Sequence, residues 1–337
     1  MYDPYLGWKP KPNTRWPEGF SAYNSLCIRA DPDAPVEYSL SPQNEMLRIV
    51  IIGDSFTDGD DVPFKDTWGY FLEKKLAEDG IKAEVLNLGV GSYGMDQAFL
   101  RWQRLGRDLN PDIVIMGLQM ENTQRNVNLL KPVLQVNTGL SFSKARYILR
   151  EDGLELINSP TLPPAKIPGI LENMENWDLK THEQFWVPEN FQDRIWLKSK
   201  LIALVMEVFS PVEIDPFFYD ISKEPARLTL RIIKKFKKEI KACQSCFLTV
   251  HMPITIDFIY AYLNREPVCS DMLAEIETDT EVIRTQDALL EEARQSSFFS
   301  LFMPHGHYSA RGNEVIAKTI AQHISGNLRP NVSSLIK

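Results

Sequence analysis

The sequence has no apolar run approaching the length of a transmembrane helix, and residues 1–30 lack the charged, apolar and small-residue sections of a secretory leader. The chain as given reads as soluble, cytoplasmic by default, and periplasmic or extracellular if a leader has been removed. Cysteine is scarce: Cys27, Cys243, Cys246 and Cys269 are too few for a disulfide framework in 337 residues. Cys243-Gln-Ser-Cys246 has the spacing of half a zinc site, but no second ligand pair accompanies it. It also straddles a helix end and a strand start, where Cys246 reads as a buried small residue. Positive charge is in deficit, with 37 Lys and Arg against 45 Asp and Glu and a net charge of −8. That excludes a general nucleic-acid binder, whose phosphate contacts need a basic face. The basic run Arg231–Lys241 places Ile233, Phe236 and Ile240 at helical spacing, as a surface helix with a core stripe and a solvated cationic face does. Internal repeats and low-complexity tracts are also absent.

What is present is an alternation. Apolar runs at 47–52, 83–88, 112–117 and 246–252 read as strands, and amphipathic stretches at 66–79, 95–109, 224–243, 284–295 and 312–325 read as helices. Continuously apolar strands between amphipathic helices predict an α/β fold, a doubly wound and mostly parallel sheet covered on both faces. In such a fold the site lies beyond the carboxyl ends of the strands. Residues 1–45, rich in Pro, Tyr and Trp, read as an extended arm packed on the domain that spans 46–326, with 327–337 as a tail. From 127 to 222 the alternation fails, which reads as one long insertion after the third strand, a lid or a substrate-selecting subdomain. Within it, Glu151-Asp-Gly153 between 146–150 and 154–157 signals a hairpin.

The most informative junction follows the first core strand. Gly53-Asp-Ser-Phe-Thr-Asp-Gly59 puts Ser55 just past a strand tip, where its hydroxyl is exposed and its N–H can face a substrate oxygen. An ordinary strand-to-helix turn uses the same residue types. Three further segments fall on the same sheet edge. After the second strand comes the glycine-rich turn Asn87-Leu-Gly-Val-Gly-Ser-Tyr-Gly94. After the third comes Gly117-Leu-Gln-Met-Glu-Asn122, and before the last helix His305-Gly-His-Tyr-Ser-Ala-Arg-Gly312.

Taken in order, these four blocks resemble those of the SGNH (GDSL-type) hydrolases. The likeness extends over roughly 46–125 and 246–325. The arm segment Tyr2-Asp-Pro-Tyr-Leu-Gly-Trp8 is similar to that of family members that modify cell-surface glycans. The resemblance implies a flavodoxin-like three-layer fold, Ser55 as nucleophile and His307 as base. It also implies an oxyanion hole of the Ser55 N–H, a backbone N–H at Gly91 or Ser92, and the Asn122 side chain, with Asp54 and His305 in support. Thr123 replaces the aspartate that commonly follows the family's asparagine. The expected activity is hydrolysis of short acyl esters of carbohydrate, acetyl above all, or transfer of the acyl group to a sugar hydroxyl. No organic cofactor or metal is needed, and the partner is a small-molecule or glycan ester.

One departure stands out. The family's aspartate two or three residues before the histidine, which holds the imidazole in the right tautomer, is replaced by His305 and Pro304. Three outcomes are open: a backbone carbonyl holds His307, an acid from elsewhere substitutes, or catalysis is lost and the chain is a module that binds acylated glycan or scaffolds a glycan-modifying complex. Asp58, Asp60 and Asp61 beside Ser55 read as solvated loop charge, with metal binding a distant second. His305-Gly-His307 is half a metal site without supporting ligands. His182, His251 and His323 have no motif around them and read as structural. Tyr and Trp of the arm and insertion could stack on sugar rings, although such residues more often belong to a core.

Overall fold

The computed structural model describes residues 1–16, 20–34, 37–42, 46–135, 139–188 and 215–327. Residues 189–214 of the expected insertion and 328–337 of the expected tail lie outside the described residues.

Eight strands form one mixed sheet: β1 (Thr14–Arg15), β2 (Ala22–Tyr23), β3 (Arg29–Ala30), β4 (Leu47–Ile52), β5 (Ala83–Asn87), β6 (Ile113–Leu118), β7 (Cys246–His251) and β8 (Val282–Arg284). Their spatial order is β8-β7-β6-β4-β5-β3-β2-β1, in which β8 through β5 run parallel and the last three antiparallel. The parallel part is the flavodoxin-like doubly wound order, and the direction of winding reverses between β4 and its neighbours. The α/β architecture is as the alternation implies.

Strand periodicity explains the two cores. Val50 and Ile52 of β4 join Leu86, Val114 and Met116 on one face, under α3 (Met95–Arg104) and α5 (Glu224–Ala242). Their neighbours Ile49 and Ile51 join Val85, Ile113, Leu248 and Val250 on the other. That second face packs against α2 (Trp68–Glu78), α8 (Gln286–Gln295) and α9 (Ala310–Asn327). Each helix buries one stripe. Trp68, Leu72 and Leu76 line α2, and Thr67 caps it by accepting the Tyr70 N–H. In α5 the buried stripe includes Ile233, Phe236 and Ile240, while Lys234 and Lys238 of the basic run border a solvent groove.

Differences from expectation lie where elements are short. The helix expected over 95–109 ends at Arg104 and continues as a 3₁₀ turn at Gly106–Leu109, as the low helix propensity of glycine favours. α6 (Thr255–Tyr262), α7 (Ser270–Asp279) and the three-residue β8 occupy the stretch after β7 and show no clean period in the sequence. The arm is more than extended chain: β1, β2 and β3 prolong the central sheet, and β3 joins β5 through the pair Arg29–Asn87. The hairpin in the insertion is present, Arg146–Arg150 against Gly153–Ile157. All four cysteines are unbonded, with Cys243 exposed and Cys246 half-buried at the start of β7. Among the described residues no helix is long and apolar enough to cross a membrane.

Candidate active site

The four blocks meet at the carboxyl edge of the sheet around the switch between β4 and β6. β4 ends at Ile52, and the chain turns at Gly53-Asp54 into the one-turn helix α1 (Ser55–Asp58). Asp54 caps α1, its Oδ1 accepting the Phe56 N–H at 3.0 Å. Gly59 closes the turn at φ +86°, a conformation that favours glycine, and its N–H returns to the Ser55 carbonyl at 2.8 Å. The next N–H, that of Asp60, also donates to the Ser55 carbonyl, at 3.0 Å. One helical turn closed in this way brings residues 60 and 61 back beside Ser55.

That reversal decides the chemistry. His307 Nε2 lies 2.9 Å from Ser55 Oγ, and His307 Nδ1 lies 2.7 Å from Asp61 Oδ2. Ser55 is buried, and the side chains of His307 and Asp61 are 21% and 28% exposed, so the file lies at the bottom of an open surface. The Phe56 ring meets the imidazole edge-on at 5.0 Å. Asp61 sits at φ +71°, a left-handed conformation that Asp adopts more readily than most side chains. Of the three outcomes left open for His307, the second is observed: an acid from elsewhere reaches its outer nitrogen.

The reading of Asp58, Asp60 and Asp61 as solvated loop charge is therefore corrected. Asp58 is fully buried, accepts the Tyr23 hydroxyl at 2.9 Å and pairs with Arg29 at 3.2 Å. Arg29 also donates to the carbonyls of Asp58, Gly59 and Val62, so a residue of the arm fastens the loop that carries Asp61. Asp60 is pushed up to about 8 by burial and by the neighbouring Asp58 carboxylate, so it holds a proton at neutral pH. His305 does not take the support position expected of it. Its side chain is 81% exposed, and its Nδ1 stands 3.6 Å from Asp61 Oδ2. Among the described residues no group of three His, Cys, Asp or Glu gathers to hold a metal ion.

Hydrogen-bond donors that could face an oxyanion come from three elements. No described residue accepts a hydrogen bond from the backbone N–H of Ser55, Gly91 or Ser92, so all three remain available. Ser92 holds φ +63°, where a glycine would rest without strain, and this is the position at which the resemblance expects one. The Trp8 indole N–H donates to the Gly91 carbonyl at 3.0 Å and fixes the turn from behind. Gly89 lets the turn approach α1, since a Cβ there would lie 2.2 Å from the Asp58 nitrogen. Asn122 opens α4 (Asn122–Arg125), and its Nδ2 donates one hydrogen to Asp54 Oδ2 at 3.1 Å and retains the other. Asp54 is wholly buried, and burial raises its pKa against the opposing pull of Arg125, which reaches it at 3.2 Å. Arg125 donates as well to the Tyr93 carbonyl at 3.2 Å, so one guanidinium ties the serine turn to the glycine turn.

Each residue singled out in the sequence, Ser55, His307, Gly91, Ser92, Asn122 and Asp54, falls at this edge. Asp61, Arg29 and Arg125 were missed. Asp61 had a signal: a glycine four residues after the serine closes a single turn and returns the chain to it. Arg29 and Arg125 had none, because their partners are distant in sequence. His251, read as structural, is buried at the end of β7, with neither ring nitrogen partnered among the described residues and its pKa lowered by burial to about 4. His323 pairs with Glu281 at 2.9 Å.

No protein-family model matches this chain, and no curated protein does. Solved structures are similar to it at low identity. One is a lipolytic protein of the G-D-S-L family from Desulfitobacterium hafniense DCB-2, at 12% identity and TM-score 0.39 over 82% of this chain and 98% of that one. Another is an acetylxylan esterase from Geobacillus stearothermophilus, a catalytic mutant, at 13% identity and TM-score 0.42 over 82% of this chain and 94% of that one. A third is TesA, at 10% identity and TM-score 0.44 over 84% and 98%.

Proposed function

We propose that this chain is a serine ester hydrolase of the SGNH type. The observation that carries the reading is the hydrogen-bonded file Asp61–His307–Ser55. His307 Nε2 takes the Ser55 proton as Oγ attacks the ester carbonyl. Asp61 holds the ring so that Nδ1 carries its hydrogen and Nε2 is free to accept, and it stabilises the imidazolium that forms. The N–H groups of Ser55 and of the Gly91/Ser92 turn, with the free Asn122 amide hydrogen, receive the charge of the tetrahedral oxyanion. His307 then returns the proton to the leaving alcohol. A second nucleophile releases the acyl group from Ser55: water in hydrolysis, a sugar hydroxyl in O-acyl transfer. The substrate class proposed is a short acyl ester of carbohydrate, acetyl above all, as the family resemblance implies. The contact between Asp61 and His307 favours this reading over a catalytically silent glycan-binding module, since it removes one of that module's two motives, a histidine without an acid, and leaves the other, Thr123 after Asn122.

Intact mass after treatment with a fluorophosphonate, followed by peptide mapping, tests it. A single adduct on Ser55, lost in His307→Ala, is expected. A protein that takes no adduct under conditions that label ordinary serine esterases would sink the hydrolase reading.

A further inference from the structure

Beside the file lies a cavity of about 410 Å³ whose lining includes Trp16, Phe20, Tyr23, Asp60, Asp61, His305 and His307. Two features distinguish it from an ordinary surface hollow. The first is its aromatic wall. Trp16 is 55% exposed and Phe20 38%, in a protein that buries Trp68 and Trp102 completely. Both sit on held backbone, Trp16 donating its N–H to the Ser21 carbonyl at 2.9 Å and the Phe20 carbonyl accepting from Phe64 at 2.9 Å. The second is its floor. Asp61 spends one oxygen on His307 and leaves Oδ1 with no hydrogen-bond partner among the described residues, while burial and the neighbouring Asp58 push the Asp60 carboxyl toward its protonated form, which can both donate and accept.

Exposed aromatic side chains that line one cavity with carboxyl groups suit a pyranose or furanose ring. Its C–H face covers the aromatic, and its hydroxyls pair with the oxygens below. The position of His307 in the lining says which part of an ester would lie here. When the tetrahedral intermediate collapses, the bond between the acyl carbon and the alkoxy oxygen breaks, and His307 Nε2 gives its proton to that oxygen. The departing alcohol therefore lies on the histidine side of the reacting carbon, and the oxyanion on the side of the N–H donors of Ser55, Gly91 and Ser92. Charge narrows the class further. Asp58, Asp60 and Asp61 all border the cavity, and the Arg29 guanidinium there is committed to Asp58 and three carbonyls. A uronate or sulfated sugar would meet the Asp61 carboxylate, and among the described residues of the lining the exposed His305 is the one basic side chain besides the committed Arg29 and the His307 of the file.

We propose that this cavity is the subsite for the alcohol portion of the ester, and that it takes a neutral or amino sugar in preference to an anionic one. This deepens the hydrolase reading and rests on it for the word alcohol, but sugar binding can be measured without catalysis. Isothermal titration of the intact protein with xylotriose, chitotriose and trigalacturonate, which carry no ester, reads the subsite directly. At least one of the first two is expected to bind at concentrations up to about 10 mM, and trigalacturonate at least about tenfold more weakly. Trp16→Ala should weaken the neutral ligand about tenfold, with Trp16→Phe within about threefold of the parent. Circular dichroism confirms that both variants are folded. Equal or tighter binding of trigalacturonate, no binding of either neutral trisaccharide, or a Trp16→Ala protein that binds as the parent does would each overturn the proposal. Fluorophosphonate labelling separates the two claims: labelling without sugar binding sinks the subsite alone, and sugar binding without labelling sinks the hydrolase reading alone.

Discussion

Two loops meet at Ser55, and they divide the chemistry unequally. The loop that follows β4 supplies the serine, its own N–H and Asp61 within seven residues. The loop before α9 supplies His307 alone, because the positions from which the acid of the resembled family comes hold His305 and Pro304. The His307 ring thus receives its orientation from the serine loop and not from its own. The lesson is that an acid partner is a requirement on a point in space, 2.7 Å from an imidazole nitrogen, and a left-handed Asp61 beyond a glycine turn meets it from an unexpected direction. The two loops also differ in support. The serine loop is fastened by Arg29, Tyr23 and Arg125, and the histidine loop mainly by its own backbone, Met303 donating to the His307 carbonyl at 2.7 Å.

The largest expected effect breaks this comparison outright. Asp61→Asn should lower kcat for p-nitrophenyl acetate by about 10³–10⁴, because an amide can present its N–H to Nδ1 and favour the wrong tautomer. His305→Ala should change the rate by less than about threefold. Equal losses in the two variants would return the acid's role to the histidine loop. Next is the fastening of the serine loop. Arg29→Met leaves the buried Asp58 carboxylate without its cation and should cost about 3 kcal/mol in urea unfolding. A loss under about 1 kcal/mol would mean that Tyr23 and the backbone hold the loop unaided. Smaller again, Ser92→Gly relieves a left-handed non-glycine residue and should gain about 1 kcal/mol of stability, with the Ser55 labelling rate within about threefold. The fourth is a pH slope. Asp60 keeps its proton in the folded protein to about 8, whereas the unfolded carboxyl releases it near 4. The folded state therefore binds more protons between those limits, and stability falls as pH rises through them. Asp60→Asn should flatten that fall, read as Tm at pH 5 against pH 8. An unaltered slope would show that Asp60 ionises normally.

How far these features were legible in the sequence follows from the range of the interactions. The strands β4 to β7 are largely apolar and buried, and the helices that cover them carry their apolar residues at regular spacing, so pattern and structure coincide. The four blocks stood out because three lie at strand ends and the fourth just before α9, where Gly, Ser and Asn have local work in the turn. Asp61 was hidden by its company: in a run of three acids, charge alone cannot distinguish Asp58 under Arg29 from Asp61 on the imidazole. The strands of the arm were hidden by length, two residues each, too short for any alternation to register. The role of His305 was assigned by position in a motif, and only the geometry shows its side chain turned to solvent.

The pairing of Arg29 with Asn87 has a consequence for modularity. The strand that carries Arg29 pairs with β5 at its carboxyl end, Asn87, and its side chain neutralises the buried Asp58 of the serine loop. A chain begun at residue 46 would keep every motif residue and still lose both: an edge of backbone donors and acceptors would lie open to other chains, and a carboxylate would be stranded without its cation. Sequence divides arm from catalytic motif at that boundary, but the protein has no seam there, and the smallest piece that works as a unit must begin before Arg29.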